Sequence, residues 1–136
     1  MSPCRASVVL SSGLVMLALV AGCAQVPATP APVGLLDIAE RPAERALLAG
    51  MRAYDDAQYP QAEKQLLAAL QAGLASPRDR AAANKLLAFV YCTSNRMADC
   101  EAAFRAARAA DPAFTLSKSE AGHPIWGPVY QRVQQR

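Results

Sequence analysis

Asn84-Lys85-Leu86-Leu87-Ala88-Phe89-Val90-Tyr91-Cys92-Thr93 and, after the polar break Ser94-Asn95-Arg96, the run Met97-Ala98-Asp99-Cys100-Glu101-Ala102-Ala103-Phe104-Arg105-Ala106-Ala107 carry the strongest structural signal in the chain. Alanine makes up five of the eleven residues of the second run, and Leu86, Leu87 and Ala88 stand together in the first; these residues lose little freedom in a helix. Ser76 suits an N-cap, Pro77 the first helical position and Asp79 the third, so a helix is predicted to start there and to end between Thr93 and Arg96. In the second run Cys100, Phe104 and Ala107 share one face of a helix spanning Met97 to Ala110. Asp111-Pro112 ends it, because the residue before a proline is driven out of the helical region.

Upstream the same pattern recurs. Leu47, Leu48, Met51 and Tyr54 are spaced three and four apart and predict a helix over about 42–57. Pro60 fits a helical first turn, where its missing N–H costs nothing, and Ala62, Leu66, Ala69 and Leu70 continue the stripe. That second helix, about 60–72, stops at Gly73, a residue suited to a C-terminal cap. Glycine is sparse after Gly34 and β-branched residues are few between Leu35 and Ala110, so the fold class predicted is all-α.

The two helix pairs align with each other. Ala49-Gly50, Tyr59, Ala62, Leu66 and Ala69 correspond to Leu87-Ala88, Met97, Cys100, Phe104 and Ala107, each 38 positions later (88 less 50, 104 less 66). This resembles the tetratricopeptide repeat, whose unit of about 34 residues places small residues where two helices approach and aromatics in the gap. Residues 81–114 follow that pattern, with Asn84 and Cys100 departing from it; the first unit departs further, with Ala53 at the aromatic position and Leu74 in place of the closing proline. The four additional residues fall at Ser76–Asp79, a loop where insertion is cheap. A generic antiparallel four-helix bundle would use the same composition. The position-by-position match favours two tetratricopeptide-like hairpins.

At the amino terminus Arg5 precedes an apolar run, Val8 to Val20, interrupted by Ser11, Ser12 and Gly13 and closed by Leu19-Val20-Ala21-Gly22-Cys23. The run is shorter than the ~20 predominantly apolar residues of a spanning helix and leads into the proline-rich Gln25–Pro32. It resembles a bacterial lipoprotein signal with a lipobox. The resemblance implies cleavage before Cys23, export, and a covalent diacylglycerol and N-acyl lipid on Cys23 as the only cofactor-like group. Acyl chains that bury many methylenes at ~0.8 kcal/mol each would hold the chain on a bilayer. Ala24 is not the aspartate that retains enterobacterial lipoproteins at the inner membrane, which points to the periplasmic face of the outer membrane. The organisation expected is 1–22 signal peptide, 23–41 lipidated cysteine and Pro/Ala-rich tether, and 42–136 helical repeat domain with a C-terminal cap. After cleavage 13 basic and 11 acidic residues are interspersed along the chain, which gives no footprint for nucleic acid.

The carboxyl-terminal segment, Phe114 to Tyr130, packs aromatics, prolines and glycines around His123-Pro124-Ile125-Trp126-Gly127-Pro128-Val129-Tyr130. Together with the lipobox, the tether, Leu87–Cys92, Cys100 and Asp111-Pro112-Ala113-Phe114, it resembles the TssQ-type lipoproteins found with type VI secretion systems. That likeness implies an accessory or assembly role among protein components of an envelope complex, without a reaction. A pilotin-like lipoprotein and a cell-wall-binding or cell-wall-modifying protein are the alternatives.

Candidate site residues follow. With Cys4 in the signal and Cys23 lipidated, Cys92 and Cys100 are left as a pair in an oxidising compartment. They lie on either side of a short turn, so a disulfide contributing ~2 kcal/mol is expected, with buried free thiols as the alternative. Their spacing is not the Cys-x-x-Cys of redox catalysts. His123 is the single histidine, at a proline-flanked turn and short of the three ligands a metal site needs, so no metal is expected. No hydrolase or phosphate-loop motif is present, and neither enzyme activity nor a small-molecule substrate is expected. Repeat hairpins bind partners on the face made by successive first helices, which assigns Leu48, Met51, Tyr54 and Asp55 from the first hairpin and Lys85, Phe89 and Cys92 from the second; packing of these residues against the linker or the carboxyl-terminal segment is equally consistent. Trp126, with Ile125 and Val129, is expected in a helix capping the last repeat, and His123 to Pro128 is the second candidate docking feature.

Overall fold

The computed structural model describes residues 41–135 together with Gly34 and Asp37. The signal sequence, Cys23 and most of the tether lie outside the described residues. Those described contain six helices and no strand: α1 (Pro42–Asp55), α2 (Tyr59–Ala72), α3 (Pro77–Thr93), α4 (Met97–Ala110), the single turn α5 (Lys118–Ala121) and α6 (Gly127–Gln134). None is long and apolar enough to cross a membrane.

Local chemistry accounts for the boundaries. Proline stands in the first turn of α1, α2, α3 and α6, where no intrahelical N–H partner is lost. Ser76 Oγ accepts from Asp79 N–H and caps α3. Gly73, at φ 87°, ends α2 in the left-handed conformation that costs glycine nothing. Helix one is shorter than the expected 42–57 because Asp56 and Ala57 belong to the turn.

Helix α1 packs on α2 and α3 on α4, giving two antiparallel hairpins that join through α2 and α3; α6 lies against α4. The hairpins repeat atom for atom at their turns. Ala57 and Asn95, 38 residues apart, are the non-glycine residues with positive φ among the described residues, at 57° and 61°. Ala57 N–H donates to Tyr54 O and Gln58 N–H to Ala53 O, as Asn95 N–H donates to Cys92 O and Arg96 N–H to Tyr91 O. Such agreement in backbone bonding, at the offset read from side chains, is that of a tandem unit and not of a generic bundle.

The helices approach through small residues. A methyl group on Gly50 would come within 2.8 Å of Leu66 side-chain atoms. In the second hairpin Ala88 and Phe104, both fully buried, occupy the same places. The core runs through Leu47, Leu66, Leu87, Phe89, Val90, Phe104, Tyr130 and Val133, and no polar or charged residue is buried among the described residues.

Candidate functional site

One face of α3, the first helix of the second hairpin, is covered by the carboxyl-terminal segment. On α3 that face holds Lys85 and Phe89, and the chain from Ser117 to Trp126 crosses it as a strap. Ser117 and Glu120 form a reciprocal cap: Glu120 N–H donates to Ser117 Oγ at 3.3 Å and Ser117 N–H to Glu120 Oε2 at 2.9 Å. The turn they build aims Glu120 Oε1 at Lys85 Nζ, 2.7 Å away. Trp126 then stacks on Phe89, with centroids 4.3 Å apart and planes at 22°, while its indole N–H donates to Glu120 O at 2.9 Å. His123 lies flat on the outer face of Trp126, centroids 3.3 Å apart, and its Nδ1 accepts from Ile125 N–H.

Aromatic contacts extend toward the first hairpin. Phe89 touches Tyr54 at 6.3 Å, and Tyr54 touches Tyr59 at 5.8 Å. Burial, with help from the neighbouring Tyr59, Glu120 and Asp55, raises the Tyr54 phenol above 10 and keeps it neutral. Burial alone would also raise Glu120, but hydrogen bonds from Lys85 and Ser117 outweigh it and hold the carboxyl below its ordinary 4.5. The strap is thus tied to α3 by one ion pair and one aromatic stack, and the indole hydrogen bond holds the strap's own turn in shape.

Gly127 permits this path. It is buried, and a Cβ there would sit 2.5 Å from Ala121 O, so only glycine lets α6 start against the end of α5. From that start α6 delivers Val129, Tyr130 and Val133 to the core; the Tyr130 hydroxyl accepts from Leu116 N–H at 3.1 Å and from Gln134 Nε2 at 2.8 Å. The guanidinium of Arg108 donates to Val133 O and ties α6 to α4.

The predicted residues therefore divide. Lys85 and Phe89 are engaged by the strap, and Tyr54 is half-buried beside them. Leu48, Met51 and Asp55 stay open on α1, with Leu48 42 % and Met51 40 % exposed. Cys92 is no groove residue: it is buried and bonded to Cys100, with Cα atoms 5.2 Å apart, because the turn brings the facing helices together there. Trp126 caps, but as the residue preceding α6, and it packs on α3 while Tyr130 packs on Phe104 and Phe114. The cap differs from expectation at Ile125, which is 43 % exposed and points away from the core.

A second cluster escaped the sequence reading. Arg96 donates to both carboxylate oxygens of Glu63 at 2.9 Å and to Asp99 at 2.9 Å, and its guanidinium lies 4.2 Å over the Tyr91 ring. Those hydrogen bonds raise the Arg96 pKa further. Burial raises Tyr91, and Glu63 adds to that. The cluster clips the first hairpin to the second through Glu63 and Arg96. Only its Arg96–Asp99 spacing was visible in sequence.

The described residues hold no cluster of three or more histidine, cysteine or acidic side chains placed to bind a metal ion. Leu48 and Met51 on α1, Pro124 and Ile125 on the strap and Pro128 in α6 are exposed. No protein-family model, no curated protein and no solved structure matches this chain.

Proposed function

We propose that this chain is a lipid-anchored protein on the periplasmic face of the outer membrane that serves a type VI secretion system as an accessory or assembly factor, through protein contacts and without a reaction of its own. The observation that carries the contact reading is the turn from Gly122 to Pro128. His123 and Trp126 are stacked and pinned to α3, and beside them Pro124, Ile125 and Pro128 face solvent on a backbone already ordered. An apolar residue held in this way loses little freedom when a partner covers it, which is how preorganised surfaces gain affinity. The likeness of the carboxyl-terminal motif to TssQ-type lipoproteins supports the choice of machine, and the lipobox likeness supports the anchor at Cys23.

A photo-crosslinker at position 125 in the native envelope is expected to capture a secretion-system component. The Ile125→Asp variant should lose that capture while keeping its thermal midpoint, since the side chain is outside the core. Capture of the same components by Ile125→Asp, or none by the wild type, would refute the assignment. Cys23→Ala is expected to leave an unacylated precursor; normal acylation and cleavage in that variant would end the lipoprotein reading.

A further inference from the structure

The strap stands off the helix that it covers. No Cα atom of α5 lies within 8 Å of one in α3, and the gap is bridged by side chains, Lys85 to Glu120 and Phe89 to Trp126. No residue from Ser117 to Trp126 is buried, whereas Leu116 before them and Gly127 after them are. The strap's own shape comes from bonds inside it: Ala121 N–H donates to Ser117 O, His123 N–H to Glu120 O, Gly127 N–H to His123 O and the Trp126 indole to Glu120 O. Its ends are held elsewhere, by Leu116 N–H on the Tyr130 hydroxyl and by α6, which packs on α4 through Tyr130 and Phe104. A compact loop with joined ends and its own internal bonds can leave a surface as one piece.

Beneath it lie a cation and aromatic rings. Lys85 Nζ is 5.6 Å from the ring centroid of Phe89, and Tyr54 adjoins Phe89. A cleft of about 430 Å³ leads to this spot along α3, from Arg78 past Ala81 and Ala82 to Lys85, and is lined also by Phe114. At ~1.5 Å per residue Arg78 and Lys85 are ~10.5 Å apart along the helix. Arg78 is exposed and joins no ion pair among the described residues. Asp111, the acid of the lining, has its Oδ1 occupied by Ala113 N–H. The strap thus fills the Lys85 end with a carboxylate and an aromatic ring and leaves the Arg78 end open.

We propose that Lys85, Phe89 and the Arg78 end of the cleft form a docking site for an acidic partner segment carrying an aromatic side chain, and that the strap is a lid that holds this site shut with its own Glu120 and Trp126. The partner's carboxylate replaces Glu120 on Lys85, its aromatic ring replaces Trp126 on Phe89, and a further carboxylate reaches Arg78. A segment that offers only an apolar face leaves Lys85 without a counter-charge, so the ion pair makes the lid selective. Affinity of the closed chain is lowered by the fraction of lids that are open. The site is independent of the secretion-system assignment and of the Ile125 surface, which the closed lid presents.

The probe is a synthetic copy of residues 117–126 with phenylalanine in place of its tryptophan, so that Trp126 of the full chain is the one indole in solution. Glu120→Gln keeps the cap on Ser117, since glutamine also serves in a capping box, and removes the charge that holds Lys85. Anisotropy of the fluorescein-labelled probe is expected to show Glu120→Gln binding about three- to fivefold tighter than the wild type, the share of one partly exposed ion pair in keeping the lid shut. Saturation with unlabelled probe should raise acrylamide quenching of Trp126 and shift its emission to the red, with the helical circular dichroism unchanged. A probe with glutamine in place of its glutamate should bind several-fold more weakly, and that difference should vanish in Lys85→Met. Equal affinity of wild type and Glu120→Gln, binding that leaves Trp126 unchanged, or no binding to either chain at millimolar probe overturns the proposal. So does a concentration-dependent dimer of Glu120→Gln in sedimentation that the probe dissociates, which makes the strap of a second copy the occupant.

Discussion

Replacing Trp126 by alanine removes the piece that joins the strap to α3. A fully buried large aromatic costs about 3–5 kcal/mol on truncation; Trp126 is half-buried, so about 2 kcal/mol is the share from packing, stacking on Phe89 included. Loss of the indole hydrogen bond to Glu120 O adds about 1 kcal/mol. The total, about 3 kcal/mol, is a large part of the stability of so small a domain. At roughly 4–8 °C per kcal/mol for a domain of this size, the thermal midpoint followed by circular dichroism should fall by about 12–24 °C. Trp126→Phe keeps the stack without the indole donor and should recover about two thirds of the loss. An alanine variant melting within a few degrees of the wild type would refute the reasoning and would mean that the strap is not a structural part of the second hairpin.

Gly127→Ala should destabilise by about 1–3 kcal/mol, since its methyl group meets Ala121 O and α6 must shift; a lower midpoint with a red-shifted emission of the single tryptophan checks it. Ala57→Gly should raise stability by about 0.5–1 kcal/mol, because glycine relieves a left-handed residue at a cost in unfolded-chain entropy smaller than the strain removed; an unchanged or lower denaturant midpoint would contradict it. Reduction of Cys92–Cys100 should cost about 2 kcal/mol by freeing a short loop in the unfolded chain, while the helical spectrum persists because Ala88, Phe104 and Ala107 still pack; collapse of helicity on reduction would count against this. Glu120 titrates below its ordinary 4.5 when folded, so its contribution is present in full above 4.5 and is lost as pH falls through the lowered folded value. Lys85→Met should flatten that part of the stability profile, and an identical acid limb in the variant would show that the pair does not hold the strap.

Helix positions were legible because their signals act within four residues. Ser76-Pro77 opens α3, Gly73 closes α2 and Asp111-Pro112 closes α4, each through one backbone dihedral or one capping bond. The offset of 38 was readable too, since each small residue in a first helix and its large opposite in the second, Gly50 with Leu66 and Ala88 with Phe104, sit at fixed sequence distance across a short turn. Pairing of Cys92 with Cys100 followed from the same turn. The capping box of Ser117 and Glu120 stood in the sequence as well, but a single turn shows no apolar period, so α5 went unread. Tertiary structure alone decided what lies on the first-helix faces. Trp126 and Phe89 are 37 residues apart (126 less 89), and neither periodicity nor capping links residues so distant; they meet because Gly127 lets the chain turn against Ala121 and because Glu120 finds Lys85. The same path sends Ile125 outward, although its hydrophobicity alone would place it inside. Sequence determines which segments become helices because those choices are local, while the faces that close and the faces that stay open depend on how the finished helices share a limited core.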